Sequence, residues 1–190
     1  MQQNRSFVRE RQGLSPLQEG CWLSASGFVI RHATRNDVAA IHAMISALAR
    51  YEELSHLCVA SEADLAEALF GPRPAAEALV AWAGVEAAGF ALFFHSYSTF
   101  LGRRSLWLED LFVLPAQRRK GCAQALLQAL AALAVERNCG RFEWAVLDWN
   151  VQAIAFYRAL GATVLPDWRI VRVVGPALSG LAARRPSDER

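Results

Sequence analysis

The stretch 109–124 contains the groups most suited to chemistry. Two adjacent carboxylates, Glu109 and Asp110, stand in an apolar strand, and a loop with the pattern Arg-x-x-Gly-x-Ala follows at 118–123. Small residues let a backbone approach a ligand closely, and the first N–H groups of the next helix carry partial positive charge. We therefore expect a diphosphate at this loop. Neither a P-loop nor a dinucleotide fingerprint is present, so ATP and NAD are not the first ligands expected.

A second segment, 150–162, has the pattern Asn-x-x-Ala-x-x-Phe-Tyr-x-x-Leu-Gly-Ala on a predicted helix. Together with the loop and with segments 28–34, 48–52 and 108–113, it resembles the GCN5-related N-acetyltransferase (GNAT) superfamily. Within that superfamily, the chain looks closest to the diamine (spermidine/spermine) N-acetyltransferase group. The resemblance covers about residues 28–182 and implies acetyl-CoA as co-substrate, a small amine as acceptor, and a homodimer.

The resemblance also implies where each molecule binds. Acetyl-CoA is expected at the strand end, the loop and the second helix, at Leu111, Phe112, Val113, Arg118, Arg119, Lys120, Gly121, Cys122, Ala123, Gln124, Asn150, Ala153 and Tyr157. The amine is expected among acidic and aromatic side chains, at Tyr51, Glu52, Glu109, Asp110, Glu143, Trp144 and Asp148. No metal is expected, because the cysteines lack Cys-x-x-Cys spacing and the histidines are scattered. We expect Cys122 to pack rather than react.

The predicted catalytic residues are Glu109 and Tyr157. An alkyl ammonium with a pKa near 10.4 is neutral in only about one molecule in 10³ at pH 7, so a carboxylate that takes its proton would assist transfer. The resemblance assigns this role, acting through water, to Glu109. Adjacent strand residues point to opposite faces, so only one of Glu109 and Asp110 is expected to face the substrate. The alternative is a pair of solvated acids.

Tyr157 follows Asn150 by seven residues, nearly two helical turns, so the two side chains share a face. As a general acid, Tyr157 would protonate the departing CoA thiolate; the alternative is a core aromatic residue. Asn150 is expected to cap the helix, to contact CoA, or both. Glu52 stands at a predicted helix C-terminus, where a carboxylate opposes the helix dipole by about 0.3–1 kcal/mol. That penalty suggests a use in holding the amine, with a solvated helix end as the alternative.

The elements that position these residues follow from hydrophobic periodicity, capping boxes and glycine turns. Strands are predicted at 28–31, 79–83, 89–95, 105–114, 141–147, 162–165 and 168–174, and helices at 34–48, 61–70, 121–138 and 150–160. This order predicts an α/β (α+β) fold with a mixed, mostly antiparallel central sheet and helices on both faces. The resemblance adds a V-shaped splay between the fourth and fifth strands, opened by a bulge.

Composition limits the function classes. The 190 residues are 54% hydrophobic, with a net charge of +2 that falls at the two ends. The neutral body argues against a nucleic-acid surface, and no apolar run reaches membrane-spanning length. We expect one N-acetyltransferase domain at 28–182, a disordered extension at 1–27, a disordered tail at 183–190, and a cytoplasmic protein.

The resulting hypothesis is acetyl transfer from acetyl-CoA directly to the primary amine of a small cationic acceptor, either a polyamine or diamine or a lysine-like amino acid. Two alternatives stay open at this point. One is acetylation of a protein or peptide amine, which needs an open groove. The other is a CoA-binding regulatory module without turnover.

Overall fold

A computed structural model of the chain describes residues 14–18 and 20–184. Its strands form one seven-stranded sheet in the order of the sequence. The strands are β1 (Leu14–Gln18), β2 (Cys21–Ser24), β3 (Val29–His32), β4 (Glu77–Ala83), β5 (Glu86–Ser98), β6 (Arg103–Val113) and β7 (Phe142–Trp144). Successive described strands pair antiparallel up to β6, which pairs parallel with β7. The predicted mixed, mostly antiparallel sheet is confirmed.

The described helices are α1 (Val38–Tyr51), α2 (Glu62–Phe70), α3 (Cys122–Glu136), α4 (Val151–Ala159) and α5 (Pro176–Ala183). Of these, α1 and α2 lie on one face of the sheet and α3 lies on the other, so the prediction of helices on both faces is confirmed. On one face, α1 and α2 bury an apolar cluster formed by Val38, Ile41, Met44, Leu65, Leu69, Ala78, Val80, Phe90 and Phe112. On the other face, Arg137 at the end of α3 lies over the ring of Phe93, which alternates in β5 with Leu92 of the first face. No helix in the described ranges is long and apolar enough to span a bilayer.

The predicted capping boxes are present, one at the start of the 3₁₀ turn Arg35–Asp37 that leads into α1 and one at the start of α2. The carboxylate of Asp37 accepts hydrogen bonds from the Thr34 N–H at 2.7 Å and from the Thr34 hydroxyl at 2.9 Å. Asp64 accepts from the Ser61 N–H at 2.8 Å, and the Asp64 N–H donates to the Ser61 hydroxyl at 3.2 Å. These bonds satisfy N–H groups that have no partner inside a helix, so they fix where each helix begins.

Part of the expected N-terminal extension belongs to the sheet. Residues 1–13 and 19 lie outside the described residues, but β1 and β2 are strands of the sheet, so the prediction of disorder is wrong for them. Cys21 and Trp22 are buried, with 8% of each exposed, and β2 pairs with β3. Burial of these two side chains explains why the segment is ordered despite its polar surroundings.

The two late strands predicted at 162–165 and 168–174 are also wrong, since the described chain has no strand there. A strand needs a neighbour for its backbone hydrogen bonds, which the alternation of apolar residues alone does not supply. Instead, Pro176 opens α5, with proline at the first helical position where its missing N–H has no cost.

The chain divides into two compact units, Met1–Ala145 and Val146–Arg190. The sheet and α1 to α3 belong to the first unit, and α4 and α5 belong to the second. This division falls inside the predicted domain 28–182. Of the predicted tail, Ala183 ends α5, and 185–190 lies outside the described residues.

Candidate active site

The loop between β6 and α3 has a backbone suited to an anion. After a short 3₁₀ turn at Pro115–Gln117, Arg119 has φ 59° and Gly121, the N-cap of α3, has φ 86°. A non-glycine residue in the left-handed region is strained by about 1–3 kcal/mol, and such strain often marks a functional loop. Because of these two left-handed residues, the backbone of the loop is neither helical nor extended.

This backbone leaves a row of amide donors available. Among the described residues, no acceptor is recorded for the N–H groups of 119–124, and the helical ladder starts with the bond from Ala125 N–H to Gly121 O at 3.0 Å. Several N–H groups at one helix N-terminus form a binding site for phosphate oxygens. The residues present thus fit a diphosphate, as the loop sequence predicts.

The side chain of Arg118 is directed away from that row. Its Nε donates to the carbonyl of Val113 at 3.1 Å, and its guanidinium lies 5.0 Å from the ring centroid of Tyr51 and 5.6 Å from that of Phe112. Arg118 therefore links the loop to the C-terminal end of α1. Lys120 is exposed, and its Nζ donates to the side-chain oxygen of Gln117 at 3.3 Å.

The first turn of α3 contributes packing as well as amides. Cys122 is 1% exposed, and burial raises the pKa of its thiol to about 12, so it is no nucleophile near neutral pH. This agrees with the expectation that it packs. Ala123 is half-buried and Gln124 is exposed on the same turn.

A β-bulge lies at the predicted catalytic carboxylate. Leu108 pairs with Phe93 and Asp110 pairs with Leu92, so Glu109 is an extra residue in β6 without its own partner in β5. A bulge of this kind breaks the alternation of side chains between the two faces. The expectation that only one of the two carboxylates faces the substrate assumed regular alternation along β6, and the bulge interrupts that alternation.

Both carboxylates lie on the face that α1 covers. Asp110 is in register with Leu92, which packs against the α1 cluster. Glu109 accepts a hydrogen bond from the indole Nε1 of Trp107 at 2.9 Å, and Trp107 is in register with Phe94 on the same face. Sequence reasoning missed Trp107, although its spacing of two residues from Glu109 in a strand was a usable signal.

Burial and mutual repulsion perturb this acidic cluster, which consists of Glu52, Glu109 and Asp110. Burial first, and then the charges of Glu109 and Glu52, raise the pKa of Asp110 to about 6. Burial also raises the pKa of Glu52. Three carboxylates thus lie within electrostatic reach, at least one of them desolvated, which is an arrangement that a bound cation would stabilise.

The end of α1 holds Glu52 in place at some local cost. Leu54 N–H donates to Ala49 O at 2.8 Å and Glu53 N–H donates to Arg50 O at 3.2 Å, a pattern that closes a helix through a left-handed residue. Here that residue is Glu53, with φ 60°, where glycine is usual. Glu52 is the residue before it, half-buried at the C-cap.

The two predicted residues of β7 divide between the faces of the sheet. Glu143 is in register with Trp107, so it lies on the same face as the acidic cluster, and its carboxylate pairs with Arg141 at 2.7 Å. Trp144 is in register with Leu108 and its ring lies 4.9 Å from that of Phe142, so it lies on the opposite face. The register therefore separates Trp144 from the carboxylates with which the sequence grouped it.

The last part of β6 has no strand paired with it on the side away from β5 among the described residues, because β7 ends at Trp144. In the described chain, the pairing of β6 with β7 ends at Leu108 and Trp144, while β6 continues to Val113. Leu114 N–H donates to Ala88 O at 2.9 Å, so by alternation the backbone groups of Leu111 and Val113 point away from β5. The side chain of Phe112, by contrast, belongs to the α1 core.

The other predicted residues, Asp148, Asn150, Ala153 and Tyr157, belong to the second unit. Asn150 caps α4, its side-chain oxygen accepting from the Ala153 N–H at 3.2 Å, so the capping prediction is confirmed. Tyr157 lies on α4 with its ring 5.5 Å from that of Phe156. Gly161, with φ 92°, closes the helix as expected.

Comparison with known proteins places this architecture in a family. Residues 41–162 match the acetyltransferase (GNAT) family. The chain is 34% identical over 197 residues to L-ornithine N5-acetyltransferase NATA1 of Arabidopsis thaliana, covering 80% of this chain and 86% of that protein. It is 36% identical over 166 residues to thialysine N-epsilon-acetyltransferase of Mus musculus, covering 82% and 97%. An integron cassette protein from the mobile metagenome of V. cholerae has a TM-score of 0.71 at 26% identity, covering 83% and 98%.

The chain therefore belongs to the acetyltransferase (GNAT) family, and it is an N-acetyltransferase. The family prediction made from the loop and the α4 motif is confirmed. The described residues contain no group of three His, Cys, Asp or Glu side chains placed to hold a metal ion.

Proposed function

We propose that this enzyme transfers the acetyl group of acetyl-CoA directly to the primary amine of a small acceptor that carries a second charged group. The observation that carries the proposal is the acidic cluster of Glu52, Glu109 and Asp110 on the α1 face. An ammonium bound there would relieve the repulsion and desolvation that raise the pKa of Asp110. Acetyl transfer to a small amine is also the reaction that the names of the relatives describe.

The co-substrate would lie along the amide row of 119–124. The loop N–H groups would bind its diphosphate, and the backbone of Leu111 and the N–H of Val113, which point away from β5, would pair with its pantetheine arm. Acetyl-CoA supplies the activated acetyl group and a thiolate leaving group. Gly121 supports this use of the loop, because a Cβ at that position would meet the Ser26 hydroxyl at 2.8 Å.

The two carboxylates of the bulge would divide the work on the acceptor. Glu109 is exposed and oriented by Trp107, so it takes the ammonium proton through a water molecule. Asp110 is more buried and lies near Glu52, so it holds the positive charge. Steady-state kinetics test this division: Glu109→Gln should mainly lower kcat, whereas Asp110→Asn should mainly raise KM and flatten the fall of kcat/KM below about pH 6. The reverse pattern would make Asp110 the base.

Tyr157 is proposed as the general acid that protonates the departing thiolate. A phenol stays protonated near pH 7 and can donate to a thiolate, whose ordinary pKa is about 8.5. Its spacing from Asn150, which caps the same helix, supports this assignment, and substitution by phenylalanine tests it.

Within the acceptor class, we propose a lysine-like amino acid such as ornithine or thialysine, with polyamines as the second candidate. The relatives at 34% and 36% identity are named for those two amino acids. The acidic cluster accounts for recognition of the amine, which both candidates share. The two candidates differ at the far end of the molecule, where an amino acid carries a carboxylate and a diamine carries only an ammonium.

Thiol release measured with matched acceptors tests the proposal. Ornithine and putrescine differ by one carboxylate, as do lysine and cadaverine, so each pair isolates that group at constant chain length. We expect the amino acid of each pair to have the higher kcat/KM. A preference for the diamines and spermidine would favour the polyamine candidate, and turnover of peptides alone would favour a protein acetyltransferase. Tight CoA binding without any thiol release would indicate a regulatory module.

A homodimer is proposed as the assembly. Apolar side chains of the second unit, including Trp168, Ile170 and Val171, are exposed in the single chain, and their burial between copies would stabilise a dimer. Light scattering at micromolar concentration should give about twice the mass of one chain. A monomer mass would contradict the proposal.

A further inference from the structure

The turn between β2 and β3 lies against the N-terminus of α3. An ideal Cβ placed on Gly121 would be 2.8 Å from the hydroxyl oxygen of Ser26 and 3.2 Å from its Cβ. Ser26 is exposed and belongs to residues 25–28, which join the two strands. A hydroxyl therefore lies beside the amide row of 119–124, supplied by a part of the chain remote from it in sequence.

The hydrogen bonds of this turn leave the Ser26 proton available. Ser24 is buried, with 6% exposed, and its hydroxyl oxygen accepts from the Phe28 N–H at 2.9 Å. The oxygens of Ser24 and Ser26 are 3.1 Å apart. Either hydroxyl can donate in this pair, and the arrangement in which the buried Ser24 hydroxyl donates to Ser26 gives the Ser24 proton an acceptor. The proton of Ser26 itself is then directed to solvent or to a ligand.

The turn itself is fixed, which holds that hydroxyl in place. Gly27 N–H donates to Ser24 O at 3.0 Å, and Ser24 N–H donates to Phe28 O at 2.9 Å. Phe28 is 4% exposed and anchors the end of the turn. Gly27 has φ 84°, which suits its place in so tight a connection.

We propose that Ser26 is a cofactor-positioning residue that donates a hydrogen bond to a phosphate oxygen of CoA, completing the amide row from a second segment of the chain. The inference rests on the proposed binding of acetyl-CoA at this loop. It gives the N-terminal hairpin of β1 and β2 a part in cofactor binding. It also adds a second reason for glycine at 121, because any Cβ would displace the hydroxyl as well as strain the backbone.

The test compares a ligand with the diphosphate and one without it. Isothermal titration gives the Kd of CoA, and turnover with S-acetylpantetheine, which lacks the diphosphate, gives kcat/KM for the same reaction. Ser26→Ala should weaken CoA binding about 10- to 100-fold, the usual effect of losing a hydrogen bond to a charged group, and leave S-acetylpantetheine turnover unchanged. Ser26→Asp should weaken CoA binding further, because its carboxylate repels the diphosphate.

The matched control is Thr99→Ala, which removes an exposed hydroxyl from the turn between β5 and β6, at the other end of β6 from the loop. It should leave both measurements unchanged. Unchanged or tighter CoA binding by Ser26→Ala would overturn the proposal, and so would an equal loss with S-acetylpantetheine, which would indicate a structural role. Failure of the wild-type chain to bind CoA would instead overturn the proposed function.

Discussion

Replacement of Asp110 by asparagine should stabilise the protein at alkaline pH. The pKa of Asp110 is raised from 3.8 to about 6, chiefly by burial and then by Glu109 and Glu52. Because the folded pKa is above the unfolded one, this carboxyl favours folding most below pH 3.8, and that contribution is lost as the pH rises through about 6. A neutral amide at the same position does not ionise, so it avoids the loss.

The magnitude follows from the two pKa values. Ionising Asp110 in the folded state, relative to the unfolded chain, costs about 3 kcal/mol at pH 8 and about 1.5 kcal/mol at pH 5. The asparagine side chain has its own desolvation cost, but that cost is the same at both pH values. The difference between the two pH values therefore isolates ionisation, and we expect Asp110→Asn to gain about 1.5 kcal/mol more at pH 8 than at pH 5.

Urea unfolding of both proteins at pH 5 and pH 8 measures this difference directly. Glu86→Gln is the matched control, because Glu86 is an exposed carboxylate at the start of β5, and its replacement should change stability by less than about 0.5 kcal/mol at either pH. A pH-dependent gain below about 0.5 kcal/mol for Asp110→Asn would show that Asp110 is solvated in the folded protein. The argument for a desolvated cation site would then fail.

Three further substitutions test other parts of the site. Glu53→Gly should stabilise the protein by about 0.5–1 kcal/mol, because glycine accepts a positive φ, and Glu53→Ala in the same unfolding assay should give no gain. Gly121→Ala should weaken CoA binding in calorimetry by tenfold or more, because the added Cβ would be strained at a φ of 86° and would clash with the Ser26 hydroxyl. Near-normal affinity would place the diphosphate elsewhere. Tyr157→Phe should lower kcat by about 10²- to 10⁴-fold with little change in Tm or acetyl-CoA affinity, and a rate within about threefold of wild type would make Tyr157 a packing residue.

Local signals predicted most elements of the sheet and its helices. The Thr34 and Ser61 capping boxes, the periodicity of α3 and the glycine after α4 each depend on neighbours within a few residues, so the sequence is enough to locate them. The N-terminal hairpin was missed because Cys21 and Trp22 are the only apolar side chains buried in its described residues, within a largely polar stretch. Their burial depends on pairing with β3, which periodicity over so short a strand does not predict.

The prediction of the two late strands was wrong for the opposite reason. Residues 168–174 carry alternating and β-branched apolar side chains, a strong strand signal, yet no strand pairs with them in the described chain. Strand propensity says only that a side chain suits the surface of a sheet. A strand forms only where a neighbouring strand accepts its backbone hydrogen bonds. The sequence did contain a signal for α5, namely Gly175-Pro176 followed by a run of helix-forming residues. This signal was not used, because the preceding residues 168–174 were assigned to a strand.

The family resemblance implied a bulge in the sheet near the site, but the sequence did not predict its position at Glu109. In a regular strand Leu108, Asp110 and Phe112 would share one face, yet Leu108 pairs with Phe93 on the α3 side while Phe112 packs in the α1 cluster. Helices cover both faces, so β6 carries apolar residues on each, and its hydrophobic pattern does not reveal a shift of one residue. The pairing with β5 supplies that shift, and it brings Asp110 to the same face as Glu109 and within electrostatic reach of Glu52. The site thus depends on one extra residue, whose position only the assembled sheet determines.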